Sequence, residues 1–142
     1  MNPAYMVATA LAAAQRHRRR RDKEIALQYL CLIYSDESQW PTLPQPEYDR
    51  VLGDYLAYMD DIRKSGHYVG CNRLQPTSAA TTVRVRNGRT AATDGPFAET
   101  KEQLGGYFLL EARDLNEAIQ LAARIPGARY GCIEVRPVME VQ

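Results

Sequence analysis

Long apolar runs are missing from this 142-residue sequence. No stretch approaches the roughly 20 residues a membrane-spanning helix requires, so no such helix is expected. Cysteine is scarce: Cys31, Cys71 and Cys132 are widely spaced, odd in number and set in apolar segments, and no CxxC pair occurs. A zinc ribbon or a thioredoxin-type motif is therefore not expected, and the thiols read as reduced core residues of a cytoplasmic protein. Histidine occurs twice, and His17 lies in an arginine run, which leaves His67 alone in the globular part. One histidine without a cysteine pair offers no ligand set for a protein-held metal. GxGxxG, GxxxxGK[ST] and GxSxG patterns are absent, so dinucleotide, P-loop and nucleophile-elbow chemistry are not indicated. Catalysis, where present, is expected to be cofactor-free acid–base work on a small polar molecule.

What is present is ordinary for a globular protein: 45% hydrophobic and 25% charged residues, enough for one domain with one sizeable core. The charge is unevenly placed. Residues 1–24 carry six basic side chains against Asp22 and Glu24, a net +4, and the other 118 residues sum to −3. The mildly acidic remainder argues against a nucleic-acid-binding surface on the domain itself. The leader, residues 1–27, runs from an alanine-rich part to "RHRRRR", the reverse of a secretory signal. It reads as a solvated extension or short helix dispensable for folding; the functional reading is a nucleic-acid or anionic-surface tail through residues 16–23.

The domain, residues 28–142, alternates between periods. "QYLCLIYS" (28–35) is a continuous apolar run of strand length. From Pro46 onward Tyr48, Val51, Leu52, Tyr55, Met59 and Ile62 form a helical stripe, with Gly66 as the stop. "HYVGCNRLQP" reads as a strand. Val83 and Val85 alternate with Arg84 and Arg86 before Asn87-Gly88, a hairpin signal. "LGGYFLLEA" (104–112) is a further strand. Asp114 caps a second helix, with Glu117 three residues on, and its stripe is Leu115, Ala118, Ile119, Ala122 and Ile125. "YGCIEVRPV" closes the domain as the last strand. The order is a split βαβ plan with an added hairpin, an α+β class. Strands 28–35 and 104–112 are apolar on both faces, and two helices cover only one. A second copy packed sheet to sheet is the expected cover.

One corner is unusually specialised. In "TDGPFAETKEQLGGY" (93–107), Asp94-Gly95 has turn chemistry, Pro96 restricts its own φ and that of Gly95, and Gly105-Gly106 removes two β-carbons. Asp94 there is either a turn cap or a site residue.

The segments "TDGPFAETKEQLGGYFLLEARDLNEA", "TTVRVRNG" and "ARYGCIEVRPVME" resemble the DGPF-type branch of the YCII-related proteins, across residues 28–140. The resemblance implies a ferredoxin-like fold that pairs as a dimeric α/β barrel. It implies no secure activity, because this branch is largely uncharacterised. The wider family has been proposed to be enzymatic, from a histidine and an aspartate facing one cleft, and DGPF-type proteins are often associated with extracytoplasmic-function sigma factors. The family's histidine position, eleven residues before Gly66, is Tyr55 here, and its aspartate position is Lys64. That dyad does not transfer.

His67 and Asp94 remain as the candidate catalytic pair, with the carboxylate orienting the imidazole for proton transfer. Tyr34, Arg73, Gly105 and Gly106 are the candidate substrate-binding residues: a hydroxyl donor, a cation for an anionic group, and a bare floor. Tyr55 is the other hydroxyl available but lies on the apolar helix stripe; Arg84 and Arg86 are further cations. No metal or cofactor is expected. Three functions stay open: a small acid–base enzyme, a ligand-sensing or regulatory module linked to a sigma factor, and a nucleic-acid-associated protein working through its leader.

Overall fold

The computed structural model describes residues 6–16 and 27–140. Residues 6–16 form helix α1, exposed along nearly its whole length; the basic run beyond Arg16 lies outside the described residues. The domain then follows as β1 (Leu27–Ser35), α2 (Gln45–Lys64), β2 (Tyr68–Arg73), β3 (Thr81–Arg86), β4 (Arg89–Asp94), β5 (Gln103–Ala112), α3 (Leu115–Ala123) and β6 (Gly131–Pro137). No helix among the described residues is long and apolar enough to cross a membrane.

Four strands make one antiparallel sheet in the order β2-β5-β1-β6. Each βαβ crossover skips one strand, so β5 sits between β1 and β2, and β1 between β5 and β6. This interleaving is consistent with the ferredoxin-like α+β plan. In the β1–β5 pair, Ile33 faces Gly106 and Tyr34 faces Leu104, so Gly105 is the extra residue of a bulge.

Strand alternation sorts the side chains. Tyr29, Cys31, Phe108, Leu110 and Ala112 point to the helix side and are buried, and Ile33 packs there too. Ile62, Leu110 and Ile125 are almost wholly enclosed, and burial of each contributes about 1.5–3 kcal/mol. Tyr58 ties the layers together. Its ring meets Phe108 edge-on at 5.2 Å, and its hydroxyl donates to the Leu121 carbonyl at 3.0 Å. Burial pushes that phenol far up, so it stays a donor.

The helices turn slightly differently from their sequence stripes. On α2 the buried residues are Val51, Tyr58 and Ile62, with Tyr55 and Met59 packed against the core, while Leu52 is exposed. On α3 they are Ala118, Leu121 and Ala122; Leu115 and Ile119 face solvent. The small Ala118 and Ala122 let α3 approach the sheet closely, which rotates Leu121 inward and the bulkier Leu115 and Ile119 outward. The hairpin is present as expected, with Asn87 (φ +52°) and Gly88 (φ +73°) both in the left-handed region that a type I′ turn requires. It forms a separate two-stranded sheet.

Candidate functional site

His67 follows directly on the end of α2. Gly66 takes φ +79°, and the His67 amide donates back to the Ile62 carbonyl at 2.9 Å. This turn aims the imidazole at α3. Nδ1 lies 2.7 Å from Ser65 Oγ, and Nε2 lies 3.1 Å from Glu117 Oε1.

Glu117 is the third residue of α3, and the Asp114 cap accepts from its amide at 2.8 Å. Its own carboxylate accepts from the Arg113 amide at 3.2 Å, while the Arg113 guanidinium lies on Oε2 through Nη2 at 2.6 Å and Nε at 2.7 Å. Burial alone would raise the Glu117 pKa; the Arg113 side chain, the Arg113 amide and His67 outweigh it and hold it below the ordinary glutamate value.

Asp94 lies elsewhere. It ends β4, and the turn that follows is held by Gly95 (φ +102°), whose amide donates to the Ala80 carbonyl at 2.8 Å. The Asp94 carboxylate has no hydrogen-bond or ion-pair partner among the described residues. Beyond it Pro96 joins Thr77, Glu99, Thr100 and Gln103 around a cavity of about 280 Å³. Gln103 begins β5, whereas the His67 carbonyl accepts from Glu111 near its other end, at 2.8 Å. The strand rise separates those two ends of β5 by roughly 25 Å. The carboxylate found on the imidazole is that of Glu117, not Asp94, and both ring nitrogens are engaged.

The binding candidates converge only in part. Arg73, the last residue of β2, faces Gly106 across the ladder, and Gly106 faces Ile33. Arg73 projects to the helix side, where its Nη1 donates to the Tyr48 hydroxyl at 3.1 Å and its guanidinium lies 5.9 Å from the centre of that ring. No acid pairs with it among the described residues. Tyr55 stands near: its ring is parallel to Phe108 at 6.4 Å. Burial raises its phenol pKa, offset in part by the Gly127 amide and by the charges of Arg73 and Arg129.

Gly106 is bare because a β-carbon there would lie 2.8 Å from the Asn72 carbonyl oxygen, whereas Gly105 has open space. Tyr34 is turned the other way. It stands on the open face of the sheet, opposite Leu104 and Cys132. Two further glycines, Gly127 and Gly131, are held close to their surroundings. A β-carbon at Gly127 would strike the Tyr55 hydroxyl at 2.6 Å, and one at Gly131 would strike the Tyr34 carbonyl at 1.9 Å. Their nearest neighbours in sequence carried no signal for either contact. Nearby, Trp40 donates to the buried Ser35 hydroxyl at 3.1 Å and stacks obliquely on Tyr130 at 5.4 Å, closing this end of the sheet.

A second groove of about 370 Å³ runs between α2 and the end of α3. Its charges are already matched, Asp54 with Arg129 at 2.9 Å and Asp61 with Arg124 at 3.0 Å.

Comparison with known proteins agrees with this architecture. The model of the YCII-related domain matches residues 27–142. An uncharacterised protein of Rhizobium meliloti (strain 1021) is 40% identical over 112 residues, which cover 78% of this chain and 90% of that protein. With its β2-β5-β1-β6 sheet matched along essentially the whole domain, the chain belongs to the YCII-related family.

Proposed function

We propose that this protein is a small-molecule-binding module that works as a homodimer and takes a compact anionic ligand at the Arg73 end of the sheet. The observation that carries this reading is the state of Arg73. Among the described residues Arg113, Arg124 and Arg129 are each matched by a carboxylate and Arg50 and Arg63 on α2 are not, but Arg73 is the one oriented by a phenol hydroxyl, that of Tyr48, beside bare Gly106 and the Tyr55 hydroxyl. A guanidinium oriented by a phenol and lacking an acid is suited to a carboxylate or phosphate. Binding is favoured over acid–base catalysis because the one histidine of the domain is engaged at both nitrogens, at the opposite end of β2.

The dimer rests on the open face of the sheet, where Leu30, Leu32, Leu104, Tyr107 and Leu109 are half-buried opposite the helix layer. Two such faces packed together give the dimeric α/β barrel that the family resemblance implies. A regulatory role beside an extracytoplasmic-function sigma factor rests on the same resemblance. A cytoplasmic setting suits its three unpaired thiols. The enzymatic reading retains one supporting observation, the unpartnered Asp94 carboxylate at the rigid corner.

The experiment is a thermal-shift screen of small carboxylates and phosphates against the wild type, Arg73→Met and Asp94→Asn. A ligand present at 100 times its Kd stabilises by about 2.7 kcal/mol, a shift of several degrees for a domain of this size. The expected result is an anion that stabilises the wild type and Asp94→Asn but not Arg73→Met. Equal stabilisation of Arg73→Met, or no response to any anion at millimolar concentration, overturns the reading. A ligand that is turned over, with turnover lost in Asp94→Asn, moves the conclusion to catalysis.

A further inference from the structure

The β3–β4 hairpin plays no part in the Arg73 site, and its surface is the wrong one for a solvated loop. Register places Val83 opposite Ala92 and Val85 opposite Thr90, so these four share one face. Val83 is 61% and Val85 57% exposed, and Phe97, just beyond the hairpin, is 83% exposed. The reverse face carries Arg84, Arg86 and Arg89. None of these guanidiniums meets an acid among the described residues; Arg86 donates only to the carbonyl of Val85. Among the described residues the hairpin's only extensive packing is of one strand on the other. A lone two-stranded ribbon is marginal in water at best.

Two quantities point to what covers it. The hairpin, residues 81–94, has three arginines and Asp94, a net +2, while the rest of residues 27–140 sum to −5. The chain thus carries the complement of its own arm. The second quantity is area. Four strands spaced about 4.8 Å apart and roughly 23 Å long present about 440 Å² of flat sheet. A stable interface buries about 800 Å² per partner. The open sheet face together with two reciprocal hairpins, each adding about 190 Å² to either copy, reaches about that area.

We infer that the β3–β4 hairpin is an arm that docks on a second copy of this chain, covering its valine face and Phe97 there and setting its arginines against that copy's acidic surface. The inference rests on the homodimer reading above. A nucleic-acid duplex would meet the arginines but leave the valine face and Phe97 in water, so a second copy satisfies both faces and a duplex only one.

Hydrogen exchange of peptides covering residues 81–94, read by mass spectrometry across protein concentrations spanning assembly, tests this, with native mass recorded in parallel. Expected is slow exchange in the dimer and fast exchange in the diluted monomer. The variant V83D/V85D, altered only at exposed positions, should keep the melting behaviour of the four-stranded core, exchange fast at all concentrations, and dimerise at least tenfold more weakly. A dimer whose hairpin exchanges fast overturns the arm and leaves the homodimer standing. A monomer at every concentration overturns both. Protection equal in monomer and dimer, or gained by the monomer on adding duplex DNA, overturns the second copy as the occupant.

Discussion

His67 Nε2 lies 3.1 Å from Glu117 Oε1, so one imidazole joins the end of α2 to the first turn of α3. The same carboxylate closes the cap of α3 and holds the Arg113 guanidinium. Two parts of the chain, 50 residues apart in sequence, meet on one acid that is only 17% exposed.

Replacing that acid should be felt in stability. Glu117→Gln keeps the shape but loses the charge opposite Arg113 and His67, and a loss of about 1–3 kcal/mol is expected. Urea denaturation at pH 7 measures it. In the same variant the ¹⁵N ring signals of His67 should move, while Asp94→Asn should leave them in place. A response to Asp94→Asn instead would restore the His67–Asp94 pairing.

Acid should remove the same contribution. The folded-state pKa of Glu117 is depressed, so its stabilisation is fully present above the unfolded glutamate value of about 4.3 and is lost as pH falls through the lower folded value. Between pH 5 and pH 3 the wild type should lose more stability than Glu117→Gln. Parallel denaturation curves for the two proteins across that range would show that Glu117 is not the linked group.

The two adjacent glycines should behave differently. Gly106→Ala forces a β-carbon to 2.8 Å from the Asn72 carbonyl oxygen and should destabilise by about 1–3 kcal/mol. Gly105→Ala meets nothing within 4 Å and should be tolerated. Thermal melts of both variants decide it, and equal effects would mean that the strands adjust around Gly106.

The cysteines should label in a fixed order. Burial pushes the Cys31 thiol up to about 11, which leaves roughly a thousandth of it as thiolate at pH 8. Cys132 is exposed on the open sheet face beside Tyr34 and should react first with a thiol reagent at low protein concentration. The proposed sheet-to-sheet dimer would cover that face, so its rate should fall as concentration rises. A rate independent of concentration in a protein that is dimeric by mass would place the interface elsewhere.

Much of this was legible from local pattern. The β1 run, the Gly66 stop, the Asn87-Gly88 turn and the Asp114 cap with Glu117 are each encoded within a few residues, and each is found where the sequence placed it. Backbone preference and capping act over one turn or one strand, so a single sequence is enough to read them. The helix faces were read only to within a rotation. Which of Leu115 or Leu121 is buried depends on how closely Ala118 and Ala122 allow α3 to approach the sheet.

The site was less legible, because its partners are chosen by the strand order. The β2-β5-β1-β6 arrangement lays β2 beside β5, which carries His67 to the Glu111 end and leaves the DGPF corner at the Gln103 end. It sets Arg73 across Gly106 from Ile33 and turns Tyr34 to the opposite face. The elements, the caps and the supply of charged and aromatic groups are encoded locally, since they follow from conformational preference within a few residues. That His67 meets Glu117, and Arg73 meets Tyr48 rather than an acid, is set by the packed arrangement of the strands and helices. Those pairings depend on register and strand order, which are fixed by burying one common core and not by any residue's immediate neighbours.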